Sequence, residues 1–321
     1  MQLQTIISTQ TNPFVNVAVE NYLLAQPNTD LLTLYLWKNH RTVVIGQNQN
    51  PYTECNVELL EREGGYLMRR STGGGAVYHD DGNINFSFVI PHAHYDVPRQ
   101  LNVIGRALAA YGLSAEVSGR NDLLCDGRKF SGNAFSKARF QNLHHGTILI
   151  KGNVADMQRY LRVNPAKLHK HGVSSVHSRV VNLSELAEVT STNIVPHLIE
   201  AFQQVYGQKT TLVDFDQLAA CDEVVRLTQQ FASDEWRFTK WRSFCATRSG
   251  NYDWGLVELS LTVDQMRNVI EEAVVASDSL DVAAVNEATS LLRGASTLSQ
   301  PDCSHCSPIA ADIVKLAYSE A

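Results

Sequence analysis

Between Arg69 and Ser87 the chain reads RRSTGGGAVYHDDGNINFS: two arginines, three consecutive glycines, a histidine and a pair of aspartates. Glycine carries no Cβ, so such a run permits positive φ and lets a ligand approach the backbone closely. Consecutive amides in a turn of this kind form a concavity that takes an anion. Arg69 and Arg70 are suited to charge-assisted bonds with a phosphate or carboxylate there. A glycine-rich hairpin flanked by surface arginines accounts for the same residues. The run lacks the lysine and hydroxyl of a Walker loop and the spacing of a dinucleotide fingerprint. It reads as an anion site of unspecified kind.

A second cluster, GRNDLLCDGRKFSGNA at 119–134, is polar and punctuated by glycine. Lys129 is its evident cation and would hold a phosphate electrostatically, although a solvated lysine beside Arg128 fits equally. Asp122, with Asn121 next to it, is suited to a magnesium ion. HHGT at 144–147 places His145 and Gly146 on a strand, where either histidine could instead bond to backbone. CSHC at 303–306 is half of a four-ligand zinc site with no second pair nearby, and reads as a loop or helix start.

The elements that must position these clusters are mixed. LQTIIST is strand-like, and residues 13–26 open on a proline and carry apolar groups at helical spacing. LLTLYLWK and TVVIG, separated by NHR, suggest a hairpin. A short helix over 56–63 ends at Gly64-Gly65. YLMRR enters the glycines and INFSFVI leaves them. A helix over 99–111 stops at Gly112, and the stretch 119–134 reads as loop between the strands LSAEVSG and HHGTILI. Helices dominate 153–206, with an exposed loop around HKHGVSSVHSRVVNLSEL. The remainder holds a strand, WGLVELSLTV, and helices over 280–293 and 308–319. No helix–strand–helix rhythm is sustained, which points to an α+β fold on largely antiparallel sheet.

The 321 residues suffice for one large domain and a smaller one, divided near 246–251. A hydrophobic content of 44% with 19% charged residues is that of an ordinary folding chain. The net charge of -6 argues against a general nucleic-acid binder. Six scattered cysteines, no basic-apolar leader and no apolar run of about 20 residues point to a cytoplasmic protein with no membrane span.

Taken together, RRSTGGGAVYHDDGN, SGRNDLLCDGRKFSGNAF, HHGTILI and VSSVHSRVVNLSEL, in this order, resemble the signatures of the lipoate–protein ligase A family, within the biotin/lipoate protein ligase superfamily. NPFVNVAVENYLL and LYLWKNHRTVVIGQNQNPYTECN fit the same pattern. The resemblance implies a class II-synthetase-like mixed or antiparallel sheet flanked by helices, with a catalytic domain over 1–248 and a small α+β accessory domain over 249–321. It implies activation of lipoate by ATP to lipoyl-AMP, then transfer of the lipoyl group to a lysine of a lipoyl domain. ATP, Mg2+ and lipoate are the implied ligands. The implied partners are the lipoyl domains of 2-oxoacid dehydrogenase E2 subunits and the glycine-cleavage H protein, served by a monomer.

Carried onto this chain, the resemblance places Arg70, Gly74, Gly75, Ala76, Val77 and Tyr78 against ATP or the adenylate. Lys129 becomes the catalytic residue, stabilising charge first on the phosphate and then on the oxyanion of acyl transfer. His79, Phe86, Asn121, Asp122, His145 and Gly146 line or support the acyl pocket, with Asp122 also a magnesium ligand. Two other activities stay open. Octanoyl transferases of the superfamily carry the acyl group on a cysteine thiolate, which directs attention to Cys125; such a role requires exposure and a depressed pKa. A protein that binds lipoate or a nucleotide without turnover is the third.

Overall fold

A computed structural model describes residues 1–119, 121–162, 180–238, 246–264 and 267–319. Its centre is an eight-stranded sheet in the order β11-β1-β2-β6-β10-β9-β8-β7. The strands are β1 (Gln2–Ile7), β2 (Leu31–Trp37), β6 (Asn83–Pro91), β7 (Glu116–Ser118), β8 (Asp122–Cys125), β9 (Arg128–Lys137), β10 (Gln141–Leu149) and β11 (Thr210–Val213). β1 runs parallel to β2 and β11, and the other pairings are antiparallel. The fold is the expected mixed, mainly antiparallel α+β type.

Strand alternation divides the core in two. Leu32, Leu34 and Leu36 of β2 and Phe86, Phe88 and Ile90 of β6 face one side, under helices α4 (Val97–Ala109) and α6 (Ile194–Tyr206). Tyr35, Trp37 and Val89 face the other, under α1 (Pro13–Ala25) and α8 (Asp222–Ala232). α1 begins where expected: Asn12 caps it by accepting from the Phe14 N–H, and Pro13 occupies the first turn, where a missing N–H costs nothing.

The hairpin expected of LLTLYLWK and TVVIG does not form. β2 lies inside the large sheet, whereas β3 (Thr42–Ile45) belongs to a three-stranded sheet with β4 (Tyr66–Arg69) and β5 (Val77–His79). Both segments are almost wholly apolar and buried, so each needs two strand neighbours, which a shared hairpin would not supply. The expected loop at 119–134 is likewise a hairpin, β8–β9, turning at Asp126-Gly127 with positive φ at both residues (52° and 68°). That dipeptide is a strong two-residue hairpin signal. Most of the loop expected at 169–186 lies outside the described residues.

The C-terminal part holds three strands rather than one: β12 (Ala246–Tyr252), β13 (Gly255–Asp264) and β14 (Val269–Ser277). Helices α10 (Val282–Leu292) and α11 (Pro308–Ala317) cover them and share a core around Leu259, Val285 and Ile313. β12 reads ATRSGNY, an edge strand too polar to show apolar alternation. The division expected at 248/249 falls within it.

Candidate active site

The site is a cleft between the α1-bearing face of the large sheet and the small β4-β3-β5 sheet, whose strands are joined by the glycine loop. Val44, Val77 and His79 line it from the small sheet. Trp37, Asn85, His145 and Thr147 line it from the large one, with Val17 of α1 between them. Asn85, Ser87, His145 and Thr147 share a face because they fall on alternate positions of the paired strands β6 and β10.

The glycine loop is held by the arginine beside it. Arg70 Nη2 donates to the carbonyls of Gly73 (2.7 Å) and Gly75 (2.8 Å), Nη1 to that of Val44 (3.2 Å), and Nε to Thr72 Oγ1 (3.0 Å). Burial lowers its pKa to about 10, so it remains protonated at neutral pH. Arg70, Gly75 and Ala76 line the cleft. Arg69 does not: its guanidinium donates to the backbone carbonyls of Gly46, Gln47, Gln49, Trp236 and Arg237. Gly74 adopts φ of 94°, and its N–H donates to the Ser279 carbonyl of the C-terminal part. Gly73 meets the same carbonyl so closely that a Cβ would lie 2.2 Å from it.

Lys129 stands at the cleft mouth, with Nζ 2.7 Å from Asp122 Oδ1. Its position follows from an irregularity in β9. Leu123 pairs with Ser131 and Leu124 with Lys129, leaving Phe130 as an extra residue. Such a bulge re-aims the side chains beyond it, and Lys129, Gly132 and Ala134 all line the cleft. The lysine folds back over Gly132, where a Cβ would lie 3.1 Å from Nζ. Asn121 sits beside it, its Nδ2 donating to the Asn133 carbonyl at 2.7 Å.

Two buried polar chains start on α1 and end at the cleft. Glu20 accepts from His145 Nδ1 (2.9 Å) and from Ser87 Oγ, which in turn accepts from Trp37 Nε1 (2.9 Å). His145 Nε2 pairs with Thr72 Oγ1 (2.9 Å), so this chain joins the indole to the glycine loop. One turn earlier, Asn16 Nδ2 donates to Asn39 Oδ1 (3.1 Å), and Asn39 Nδ2 to His79 Nδ1 (3.2 Å). Burial holds His79 neutral, its pKa lowered to about 3.

Several expected residues lie elsewhere. Tyr78 alternates with Val77 and His79 and points into a satellite core against Tyr160. Phe86 lies in the main core on the far side of the sheet, with Asn85 on the cleft side. Gly146 supplies backbone to the lining; a Cβ there would meet Phe86 Cζ at 2.6 Å. His79 does line the cleft, with its Nδ1 bonded to Asn39. Cys125 is buried in the main core, away from the cleft, and burial pushes its thiol pKa up. Cys303 and Cys306 precede α11, and no cluster of three or more metal-ligating side chains occurs among the described residues. No described helix is long and apolar enough to cross a membrane.

Glu20, Trp37, Asn39 and Thr72 were not singled out by the sequence reading. Asn16 and Glu20 carried a usable signal: polar residues four apart, and so on one face, in a mainly apolar helix, and both are buried.

The chain matches known proteins over most of its length. It is 37% identical over 294 residues to the lipoate-protein ligase A of Psychrobacter cryohalolentis, covering 89% of this chain and 86% of that protein. The crystal structure of P. falciparum LipL1 in complex with lipoate superposes with a TM-score of 0.79 at 28% identity, over 92% of this chain and 90% of that one. A crystal structure of a lipoate-protein ligase A bound with ATP shares the fold, with a TM-score of 0.64 at 22% identity over 74% of this chain and 98% of that one. Residues 12–203 match the lipoyl protein ligase A/B catalytic domain, and the chain belongs to that family.

Proposed function

We propose that the chain is an ATP-dependent lipoate–protein ligase, and the observation that carries this reading is Lys129. Among the described lining residues one lysine, paired with Asp122, lies partly exposed on a cleft bounded by a glycine loop, with Val17, Trp37, Val44 and Val77 among its walls. Such a cleft suits a molecule with an apolar tail and an anionic head. The lipoate carboxylate oxygen attacks the α-phosphorus of ATP, forming the acyl–phosphate bond as pyrophosphate leaves. The lysine amine of a lipoyl domain then attacks the acyl carbonyl, loses a proton, and AMP departs.

Both steps build negative charge near one point, first on phosphate oxygens and then on the carbonyl oxygen. The Lys129 ammonium serves both without a covalent intermediate. Arg70 acts chiefly through the loop it holds, fixing Gly74, Gly75 and Ala76 for the nucleotide, while Val77 and His79 face the acyl chain. Magnesium enters with the ATP phosphates as part of the substrate. Asp122, which pairs with Lys129, would be the carboxylate offered to it, and phosphate oxygens would supply most of the remaining ligands, as is usual for this ion.

Further parts of the reading are proposed on the family's pattern: a catalytic unit over 1–248 with an accessory unit over 249–321, a monomer in the cytoplasm, and E2 lipoyl domains and the glycine-cleavage H protein as acceptors. The test is mass-spectrometric detection of a lipoylated lipoyl domain with free lipoate and ATP as the only acyl source. Product under those conditions supports the ligase. Product only with an acyl-carrier donor would replace it with the transferase.

A further inference from the structure

Of the described residues lining the cleft, His79 alone leaves a buried side-chain nitrogen, Nε2, with no hydrogen-bond partner. Its neighbours are committed: the Trp37 indole N–H goes to Ser87, His145 uses both ring nitrogens on Glu20 and Thr72, and Asn85 bonds to Asn83 and Trp37. The polarity of the His79 bond is fixed from outside the cleft. Ser8 Oγ and the Tyr35 hydroxyl both donate to Asn16 Oδ1, which leaves the Asn16 amide to donate to Asn39 Oδ1. The Asn39 amide must then donate to His79 Nδ1. A neutral imidazole that accepts at Nδ1 carries its proton on Nε2. His79 lines the cleft and Asn39 does not, so the buried Nε2–H, unpartnered among the described residues, is the ring donor left for a ligand.

His79 packs edge-on against Trp37 with ring centroids 6.1 Å apart, and both are buried. The Lys129 side chain is a quarter exposed, whereas His79 and Trp37 are buried, so the charged head of the substrate is placed at Lys129 and the tail beyond it. The deep end therefore receives the far end of the acyl tail. A saturated straight chain has no acceptor there, whereas a cyclic disulfide presents sulfur lone pairs. A buried donor left unpaired disfavours the analogue that cannot receive it.

We infer that His79 is a specificity-determining residue of this chain, donating from Nε2 to a sulfur of the bound dithiolane ring and so selecting lipoate over octanoate. The inference rests on the ligase reading only for the identity of the acid. Calorimetric titration of the full chain with lipoate and with octanoate, without ATP, tests it in the wild type, His79→Leu and His79→Gln. The lipoate-to-octanoate affinity ratio is expected to fall roughly 3- to 10-fold in His79→Leu, the range of one net hydrogen bond. It should recover in part in His79→Gln, which restores an N–H donor. Equal losses for both acids, or an unchanged ratio, would overturn the inference. If the variants do not fold, 15N-labelled histidine in the wild type gives the same decision: His79 should show the Nε2–H tautomer, with a ring shift on adding lipoate that octanoate does not produce. The opposite tautomer, or identical shifts, would overturn it. Binding of both acids with no pyrophosphate release on adding ATP would defeat the ligase reading and leave the binding result standing.

Discussion

Gly132 shows how one absent atom makes room for the group proposed to be catalytic. The Lys129 side chain lies across it, so Gly132→Ala puts a Cβ 3.1 Å from Nζ and 3.2 Å from Cε. The flexible end of the lysine gives way and the fold survives, but the ammonium moves. Turnover of Gly132→Ala is expected to fall on the order of 100-fold, as displacements near 1 Å can cause, while the thermal midpoint changes little; near-normal turnover would show that Lys129 needs no such placement. Cys125→Ser is expected to retain turnover with free lipoate and ATP, because the thiol is buried behind the sheet. Loss of turnover in a folded Cys125→Ser would return the cysteine to the mechanism. Lys129 was legible in the sequence as the evident cation, next to Arg128, of a glycine-punctuated cluster. What Gly132 contributes was not, since it depends on the bulge at Phe130.

At the level of elements, α1 is as much part of the site as the glycine loop. Asn16 and Glu20, one turn apart, anchor the chains that end at His79 and at His145, Thr72 and Trp37. Glu20→Ala would strip a buried acceptor from His145 and Ser87 together, a loss of about 3 kcal/mol. It is expected to lower the urea midpoint and weaken lipoate binding in the same variant, measured by denaturation and calorimetry. Weakened stability with unaltered binding would make the chain merely structural. α1 was legible in its opening proline and its periodicity, whereas β2 was paired with the wrong neighbour. Adjacency and apolar content are all that a sequence displays of a strand, whereas pairing is decided by which faces are buried. The β8–β9 hairpin was legible in Asp126-Gly127, but its polar composition led to its being read as loop.

Across the whole molecule, the C-terminal part is joined to the glycine loop by backbone hydrogen bonds. The Gly74 N–H donates to the Ser279 carbonyl and the Ser277 N–H to that of Asn48, so the C-terminal sheet and the anion loop share a seam. Nothing in the sequence marked Ser277 or Ser279, because a carbonyl contact leaves no side-chain signature. Acid should loosen the assembled chain early. His79 and His144 both have pKa values lowered to about 3 by burial, against about 6.5 when unfolded. Between those values the unfolded chain binds protons that the folded one refuses, so stability rises with pH through this window and is lost as pH falls below about 6.5. Each histidine contributes a slope of up to about 1.4 kcal/mol per pH unit. Urea midpoints at pH 7, 6 and 5 should therefore decline stepwise; a flat profile would contradict the buried neutral pair. Pyrophosphate release by the full chain, with ATP, magnesium and lipoate and no acceptor protein, is the decisive test of a ligase working through Lys129. Lipoate-dependent release by the wild type, reduced on the order of 100-fold or more in Lys129→Ala, is the expected result; no release from folded wild type, or full release from Lys129→Ala, would contradict it.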